Sequence, residues 1–374
     1  MITPLDREYM ARAVQLAREG QYSTDPNPRV GCVLVKDNSI IGEGFHVRAG
    51  EGHAEVNALA DAKAAGHDTK GATAYVTLEP CSHYSRTPPC PEGLIKAGVR
   101  RVVCAMEDPN PQVAGKGFAM LGEAGVEVEF GLQQEEAWAL NPGFYKRMQT
   151  GLPFVRLKLA MSVDGRTAMA SGESQWITGS AARADVQKLR ASSSAVVTGI
   201  ESILHDDSSL TVRANELGLS EAQAALAIEK QPLRVVLDSQ GRLPADAKIL
   251  KQAGTTLVAT AEDVVLSIDE AHVLRLPKTE KGLDLTALLS ALSDRQCNEV
   301  LVETGATLAG AFVEQGLVDE LVVYMAPCLL GSDARPLLNL PLDRMAEKKE
   351  LVMKDVRQFG NDLRLTLKLL DSKK

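Results

Sequence analysis

HAEVNALADAKAAG (53–66) and, a little downstream, EPCSHYSRTPPC (79–90) decide how the first half of this chain reads. His53, Cys81 and Cys90 supply one imidazole and two thiolates, the donor types of a zinc site that does chemistry, where three protein ligands leave a fourth position for water. Glu55 is then a spare carboxylate. It lies two residues beyond His53 at the start of a helical run, so it can sit beside the open position without ligating. There it can take a proton from water and pass it to a leaving group. Cys90 is followed by Pro91 and EGLIKAG, which reads as a short helix with proline at its first position and Gly98 at its end. A helix N-terminus lowers a thiol's pKa and favours the thiolate that zinc needs. Two helix starts are therefore predicted to converge on one cation. The competing reading, a helical histidine with two ordinary buried cysteines, does not explain why each cysteine sits beside proline at a turn.

The rest of the chain bounds this reading. At 374 residues it is long enough for two domains with ample cores. It has no run of eighteen apolar residues, and its first twenty residues read as an amphipathic helix rather than a secretory signal, so neither a membrane span nor export is expected. Six scattered cysteines, two already assigned to metal, do not resemble a disulfide framework, and the cytosol is the simplest location. Net charge is -8. Residues 1–149 hold 15 Lys plus Arg against 19 Asp plus Glu, and the remainder hold 26 against 30. Neither half has the basic surplus of a nucleic-acid binder, which favours a small-molecule partner.

Residues 1–130 alternate helical and strand patterns, with helices near 5–19, 53–66, 90–98 and 117–124 and strands near 30–35, 72–78, 101–105 and 126–130. This predicts an α/β layer on a mainly parallel sheet. ALNPGFYKRMQTGLP (139–153) breaks the pattern, and the domain boundary is placed near Gln149, giving domains 1–149 and 150–374. The alternation then restarts. Strands are predicted near 154–161, 195–198, 234–237, 255–259, 299–302 and 320–324, helices near 180–191, 283–292 and 307–315, and a closing hairpin in LVMKDVRQFGNDLRLTLKLL (351–370).

DPNPRVGCVLVKD (25–37), GEGFHVRAGEGHAEVNAL (42–59), TLEPCSHYSRTPPC (77–90), KLAMSVDGRTAMASGESQWITG (158–179), DDSSLTVR (206–213) and VETGATLAGAFV (302–313) together resemble the bifunctional riboflavin-biosynthesis enzymes. That family joins a diaminohydroxyphosphoribosylaminopyrimidine deaminase to a 5-amino-6-(5-phosphoribosylamino)uracil reductase. The resemblance spans nearly the whole chain in the family's order. It implies a cytidine-deaminase-like N-terminal domain fused to a dihydrofolate-reductase-like C-terminal domain, with Zn2+ and NADPH as cofactors and a pyrimidine ribosyl phosphate as substrate. His-x-Glu with two later cysteines is the pattern of zinc-dependent nucleobase deaminases. Here eight residues separate the cysteines instead of two, so the ligand loop is enlarged. By resemblance Asn27 orients the pyrimidine ring, while its plainer role is to hold a Pro-flanked turn. His46 and Arg86 are candidates for the ribose phosphate, Arg86 because the enlarged loop carries a cation to the mouth of the site.

The second half has no G-x-G-x-x-G, which counts against a Rossmann dehydrogenase. TGATLAG (304–310) instead follows an apolar strand and enters a helix, where backbone N–H groups can hold a cofactor phosphate. By family position the cofactor residues are Ala160, Trp176, Ser202, Asp206 and Ser239 together with Gly305, Ala306, Thr307, Leu308, Ala309 and Gly310. Lys158, Asp206 and Glu303 are candidates near the sugar. Arg190 and Arg213 are candidates for the substrate phosphate, with Ser174 and Leu210 on the same ligand. Three other readings stay open: a nucleotide deaminase or a tRNA deaminase, each with a non-catalytic C-terminal domain, and a binding module with structural zinc. Glu55 in place of a fourth Cys or His ligand argues against the last of these. Oligomeric state and NADPH over NADH are not legible, and a homo-oligomer is compatible with the sequence.

Overall fold

Period-two burial writes the first sheet. Cys32 and Leu34 face one side and Val33 and Val35 the other, and all are buried, so both faces of this strand must be covered. In a computed structural model, which describes residues 2–82, 89–111 and 113–370, the chain divides into two compact units, Met1–Gly151 and Leu152–Lys374.

The first unit runs α1 (Pro4–Glu19), β1 (Gly31–Lys36), β2 (Ser39–Phe45), α2 (Ala54–Ala64), β3 (Thr73–Val76), α3 (Cys90–Lys96), β4 (Arg101–Cys104), α4 (Lys116–Glu123), β5 (Glu127–Phe130), α5 (Gln134–Leu140) and α6 (Pro142–Thr150). The sheet order is β2-β1-β3-β4-β5. One face packs against α1, α5 and α6 through Met10, Val33, Tyr75, Val103 and Tyr145. The other packs against α2, α3 and α4 through Leu34, Ala58, Val76, Leu94 and Leu121. The sheet is mixed rather than mainly parallel, because β1 pairs antiparallel with both β2 and β3 while β3–β4 and β4–β5 are parallel. The unforeseen strand β2 arises from Asp37 and Asn38, both at positive φ (51° and 59°), which close a tight hairpin whose twist matches its strands. The stretch that reads as a break is helical. Pro142 opens α6, where a missing N–H costs nothing, and Gly151 closes it in the left-handed conformation.

The second unit contains β6 (Phe154–Ser162), β7 (Arg166–Ala168), α7 (Ser180–Ala191), β8 (Ala195–Gly199), α8 (Ile200–Asp206), α9 (Glu221–Glu229), β9 (Leu233–Leu237), β10 (Thr256–Ala261), β11 (Val273–Leu276), β12 (Lys278–Thr279), β13 (Gly282–Leu283), α10 (Leu285–Asp294), β14 (Glu299–Glu303), α11 (Ala306–Glu314), β15 (Glu320–Ala326), β16 (Arg335–Pro336), β17 (Leu351–Phe359) and β18 (Asp362–Leu369). Nine strands form one sheet in the order β11-β10-β9-β8-β14-β6-β15-β18-β17. Every pairing from β11 to β15 is parallel, and the predicted hairpin β17–β18 closes the edge antiparallel. Helices α10 and α11 cover one face with Leu288, Leu292 and Phe312, while Ile200 and Ile203 of α8 and Val186 of α7 cover the other. Loops at the carboxyl ends of β8, β9 and β14 are where such a sheet presents ligand contacts.

Candidate active sites

Close backbone packing places the first site. Strand β2 carries Gly42 and Gly44 under α2, and a Cβ on Gly44 would stand 2.3 Å from the Ala58 nitrogen. No other residue allows this approach, which seats the start of α2, with His53 as its N-cap, against the sheet. Asn57 fastens the same end by donating to the carbonyls of Phe45 (2.7 Å) and Gly52 (3.1 Å). Cys81 follows β3, and Cys90 is the first residue of α3, its N–H donating to the Cys81 carbonyl at 3.2 Å. Pro91 thus stands second in that helix rather than first.

His53, Cys81 and Cys90 form the one grouping of potential metal donors among the described residues. His53 Nδ1 is 3.2 Å from each sulfur, and the sulfurs are 3.6 Å apart. A tetrahedral zinc with ordinary bond lengths spaces two sulfurs by about 3.8 Å and nitrogen from sulfur by about 3.5 Å, so this donor set fits the ion. The Cys90 thiol, then His53, hold the Cys81 thiol down to about 4, while Cys90, donating that bond in a buried setting, is pushed up. Glu55 is 3% exposed and lies close enough to Cys90 and Cys81 for each to influence its charge. Burial, reinforced by the charge on Cys81, raises its carboxyl above the ordinary range. A carboxyl that is buried, raised above its ordinary range and beside the donors is suited to proton transfer.

His46 takes a different place from the one expected. It is 3% exposed, its Nδ1 lies 3.0 Å from the Gly52 carbonyl, and its Nε2 lies 3.1 Å from Asn27 Nδ2. A carbonyl only accepts, so Nδ1 carries the proton and Nε2 accepts from the Asn27 amide. Both ring nitrogens are engaged within the protein, so His46 fixes the Asn27 amide and does not reach for a phosphate. Arg86 lies outside the described residues. Glu79, quoted in the sequence but given no role, ties down the loop after β4: its carboxylate accepts from the backbone N–H groups of Asp108 (3.1 Å), Gly115 (3.0 Å) and Gly117 (2.9 Å). Buried Asp108 is pushed up to about 6, chiefly by desolvation. Nothing in a lone EDPNP distinguishes that carboxyl from a turn residue.

In the second unit, the register of β6 against β14 sets Lys158 beside Glu303. Arg190 of α7 grips Glu303 with Nε at 2.6 Å and Nη2 at 3.0 Å. Burial lowers the Lys158 ammonium, and the Glu303 charge opposes that push. Arg190, expected at the substrate phosphate, has its fork on Glu303 and its Nη1 on the Thr211 carbonyl at 3.4 Å. Arg213 meets Glu216 at 2.6 Å, both side chains being largely exposed, and Leu210 is buried in the core around Ile200. Ser174 Oγ and Gln175 Nε2 both reach Asp206 (3.5 and 3.2 Å), and Trp176, 69% exposed, carries the Arg183 guanidinium 4.6 Å from its ring centroid. Ala160 faces the same layer as Lys158 and packs near Tyr324.

TGATLAG divides in two. Gly305, Ala306 and Thr307 open α11, and a Cβ on Gly305 would meet nothing within 4 Å, an open approach to a helix N-terminus. Leu308 packs partly on the core, Ala309 is within it, and a Cβ on Gly310 would stand 2.0 Å from the Asn339 carbonyl oxygen. Ala309 and Gly310 therefore serve packing in this structure. Ser202 in α8 and Ser239 after β9 share the carboxyl edge of the sheet with Gly305. Thr198 Oγ1, Asp238 Oδ1 and Thr260 Oγ1 near that edge are buried without hydrogen-bond partners among the described residues. Open backbone donors and a polar strand edge fit a phosphate-bearing cofactor such as NADPH.

Residues 153–365 match the RibD C-terminal domain, and residues 3–106 match the cytidine and deoxycytidylate deaminase zinc-binding region. The riboflavin biosynthesis protein RibD of Escherichia coli strain K12 is 53% identical over 366 residues, covering 97% of this chain and 99% of that one. The solved structure of Acinetobacter baumannii RibD is 49% identical with a TM-score of 0.89, covering 98% and 99% of the two chains. A Thermotoga maritima diaminohydroxyphosphoribosylaminopyrimidine deaminase/5-amino-6-(5-phosphoribosylamino)uracil reductase is 31% identical with a TM-score of 0.85 at the same coverage. Both halves being matched in one alignment, the chain belongs to the RibD family of riboflavin biosynthesis, bifunctional enzymes that are at once zinc deaminase and NADPH-dependent reductase.

Proposed function

We propose that residues 1–149 deaminate 2,5-diamino-6-(5-phosphoribosylamino)pyrimidin-4(3H)-one and residues 150–374 reduce the resulting ribosyl chain to ribityl. The observation that carries the first step is the 3.2, 3.2 and 3.6 Å triangle of His53, Cys81 and Cys90 with the buried carboxyl of Glu55 beside it. These three residues hold the zinc, which when bound makes water nucleophilic near neutral pH. Glu55 takes a proton from the attacking water and delivers it to the ring nitrogen, then takes the remaining proton of the added hydroxyl and delivers it to the amine, which departs as ammonia while the carbonyl forms. Asn27, its amide fixed by His46, orients the pyrimidine. The second step places Lys158 and Glu303 at the sugar, where Lys158 supplies a proton and Glu303 orients a hydroxyl. NADPH supplies the hydride. Gly305, Ala306 and Thr307 receive a cofactor phosphate at the start of α11, with Ser202, Ser239, Trp176 and Asp206 along its path.

The same reading places the enzyme in the cytoplasm with a small-molecule substrate; no helix among the described residues is long and apolar enough to cross a membrane. A deaminase with an idle C-terminal domain is disfavoured, because Lys158, Arg190 and Glu303 form a buried charged cluster that an inert domain has no use for. The test follows ammonia release and NADPH oxidation together on the diaminopyrimidinone ribosyl phosphate. Both signals are expected, with zinc chelation abolishing ammonia release and sparing reduction of substrate already deaminated. Ammonia without NADPH oxidation refutes the reductase assignment.

A further inference from the structure

We infer that Arg242 recognises the 2′-phosphate of NADPH and so sets the preference for NADPH over NADH. The inference rests on the reductase reading above and adds a partner for a group to which that reading assigns none. With no G-x-G-x-x-G, the chain must distinguish the two dinucleotides through side chains on its loops. The proposed cofactor residues Gly305–Thr307, Ser202 and Ser239 stand at the carboxyl ends of β14, β8 and β9, which are neighbours in the sheet. Followed outward from the sheet centre, this path ends at the turn after β9.

That turn is rigid. Asp238 is fully buried; its carbonyl accepts from the Gly241 N–H at 3.4 Å and its Oδ2 accepts from the Leu243 N–H at 2.7 Å. Gly241 supplies the left-handed residue the turn needs, with φ of 71°, and Leu243 is anchored in the core below. Ser239 and Arg242 are thus held on one closed turn. Arg242 projects into solvent, where Nη2 meets Glu201 Oε1 at 2.6 Å in the first turn of α8, one residue before Ser202. Both partners are largely exposed, so the pair is weak and the guanidinium is readily shared. Its planar fork matches a phosphate dianion bidentately, which an ammonium does not. Several other cations in this unit are engaged elsewhere: Arg275 with Glu270 and the Val264 carbonyl, Lys278 with Asp263, Arg190 with Glu303.

The test compares wild type, Arg242→Gln, Arg242→Lys and Glu201→Gln. Steady-state reduction of the deaminated substrate is measured with NADPH and with NADH, alongside binding of 2′,5′-ADP by calorimetry. Arg242→Gln is expected to lower kcat/KM for NADPH by roughly 10- to 100-fold, the worth of charge-assisted phosphate bonds, and to leave that for NADH unchanged. Its binding of 2′,5′-ADP should weaken in parallel, and Arg242→Lys should fall between. Glu201→Gln breaks the same ion pair while keeping the cation, so it should behave as wild type. Equal losses with both dinucleotides, an unaltered 2′,5′-ADP affinity in Arg242→Gln, or the same loss in Glu201→Gln overturns the inference. Failure of the wild type to oxidise either dinucleotide would instead overturn the reductase reading and this inference with it.

Discussion

Replacing Glu55 with glutamine tests the deaminase site with the least disturbance to its shape. The side chain is 3% exposed, so no bulk water stands ready to take over its proton transfers. General acid–base catalysis by one positioned group contributes roughly 10²–10⁴-fold. Glu55 serves both the attacking water and the leaving nitrogen without a substitute, so the loss should sit at the upper end. We expect kcat for ammonia release to fall roughly 10³–10⁴-fold, or about 4–5.5 kcal/mol of barrier. Zinc should stay, because the donors are His53, Cys81 and Cys90. Thermal stability should not fall, because a neutral amide replaces a carboxyl whose charged form is penalised by burial. The assay is ammonia release per bound zinc, with metal content measured on the same preparation and Cys81→Ala as the metal-losing control. Loss of zinc in Glu55→Gln would make Glu55 a ligand, and a rate within about tenfold of wild type would remove it from the proton path.

Gly305→Val should raise KM for NADPH with little effect on folding, since a Cβ there meets open space, whereas Gly310→Val should destabilise by more than the ~1–3 kcal/mol usual for overpacking, its Cβ standing 2.0 Å from the Asn339 carbonyl. Cofactor titration and thermal melts of both variants separate the two effects, and normal folding of Gly310→Val contradicts the packing role. Glu303→Gln removes the charge that holds the buried Lys158 ammonium up, so Lys158 should deprotonate at lower pH and the alkaline limb of the reduction profile should move down; an unshifted profile removes Lys158 from the proton supply. Asp6→Asn should cost the first unit roughly 1.5–3 kcal/mol, because it removes the charge-assisted bond to Arg101 at 2.7 Å in a buried setting and leaves Glu129, at 2.8 Å, as the only carboxylate on that guanidinium among the described residues. Against the upward push of burial, bonds from Arg101, Tyr75 and Thr3 hold the Asp6 carboxyl below its ordinary range. The contribution is therefore present above about pH 4 and lost as acid protonates the folded state, so the gap between variant and wild type in melts should close below that pH. A gap independent of pH would mean the carboxylate charge does not carry it.

The deaminase site was legible because its chemistry depends on atoms that only a few side chains possess. A sulfur or an imidazole nitrogen announces itself in the sequence, and proline beside each cysteine fixes where the chain turns. What the sequence concealed were partners chosen by the fold. His46 lies seven residues before His53 in a Gly-rich segment and looks like one more exposed cation, until burial and the Gly52 carbonyl settle its tautomer and turn it toward Asn27. Glu79 in TLEPC is equally silent, because its ligands are backbone N–H groups more than twenty residues downstream, which carry no sequence signature. Strand β2 was missed for a local reason: Asp37 and Asn38 form a tight hairpin turn without the glycine that usually marks one.

The reductase half resists reading for a deeper reason. A phosphate held by backbone N–H groups asks of the sequence only that side chains be small, and small residues serve packing equally well. TGATLAG contains both uses within seven residues: Gly305 opens space at a helix start, and Gly310 closes it against Asn339. Periodicity distinguishes them only once the helix is known to begin at Ala306, since Ala309 and Gly310 then fall on the buried face. The arginines show the same ambiguity in another form. Arg190, Arg213 and Arg242 are indistinguishable as letters, yet the first is nearly buried in a bidentate grip on Glu303 while the other two stand in solvent beside exposed acids. A cation with a buried partner is spent on holding the site together. One with an exposed partner, on a rigid turn at the carboxyl edge of the sheet, keeps its charge available for an arriving phosphate, so the identity of an arginine's partner, more than its position in a motif, decides what it can bind.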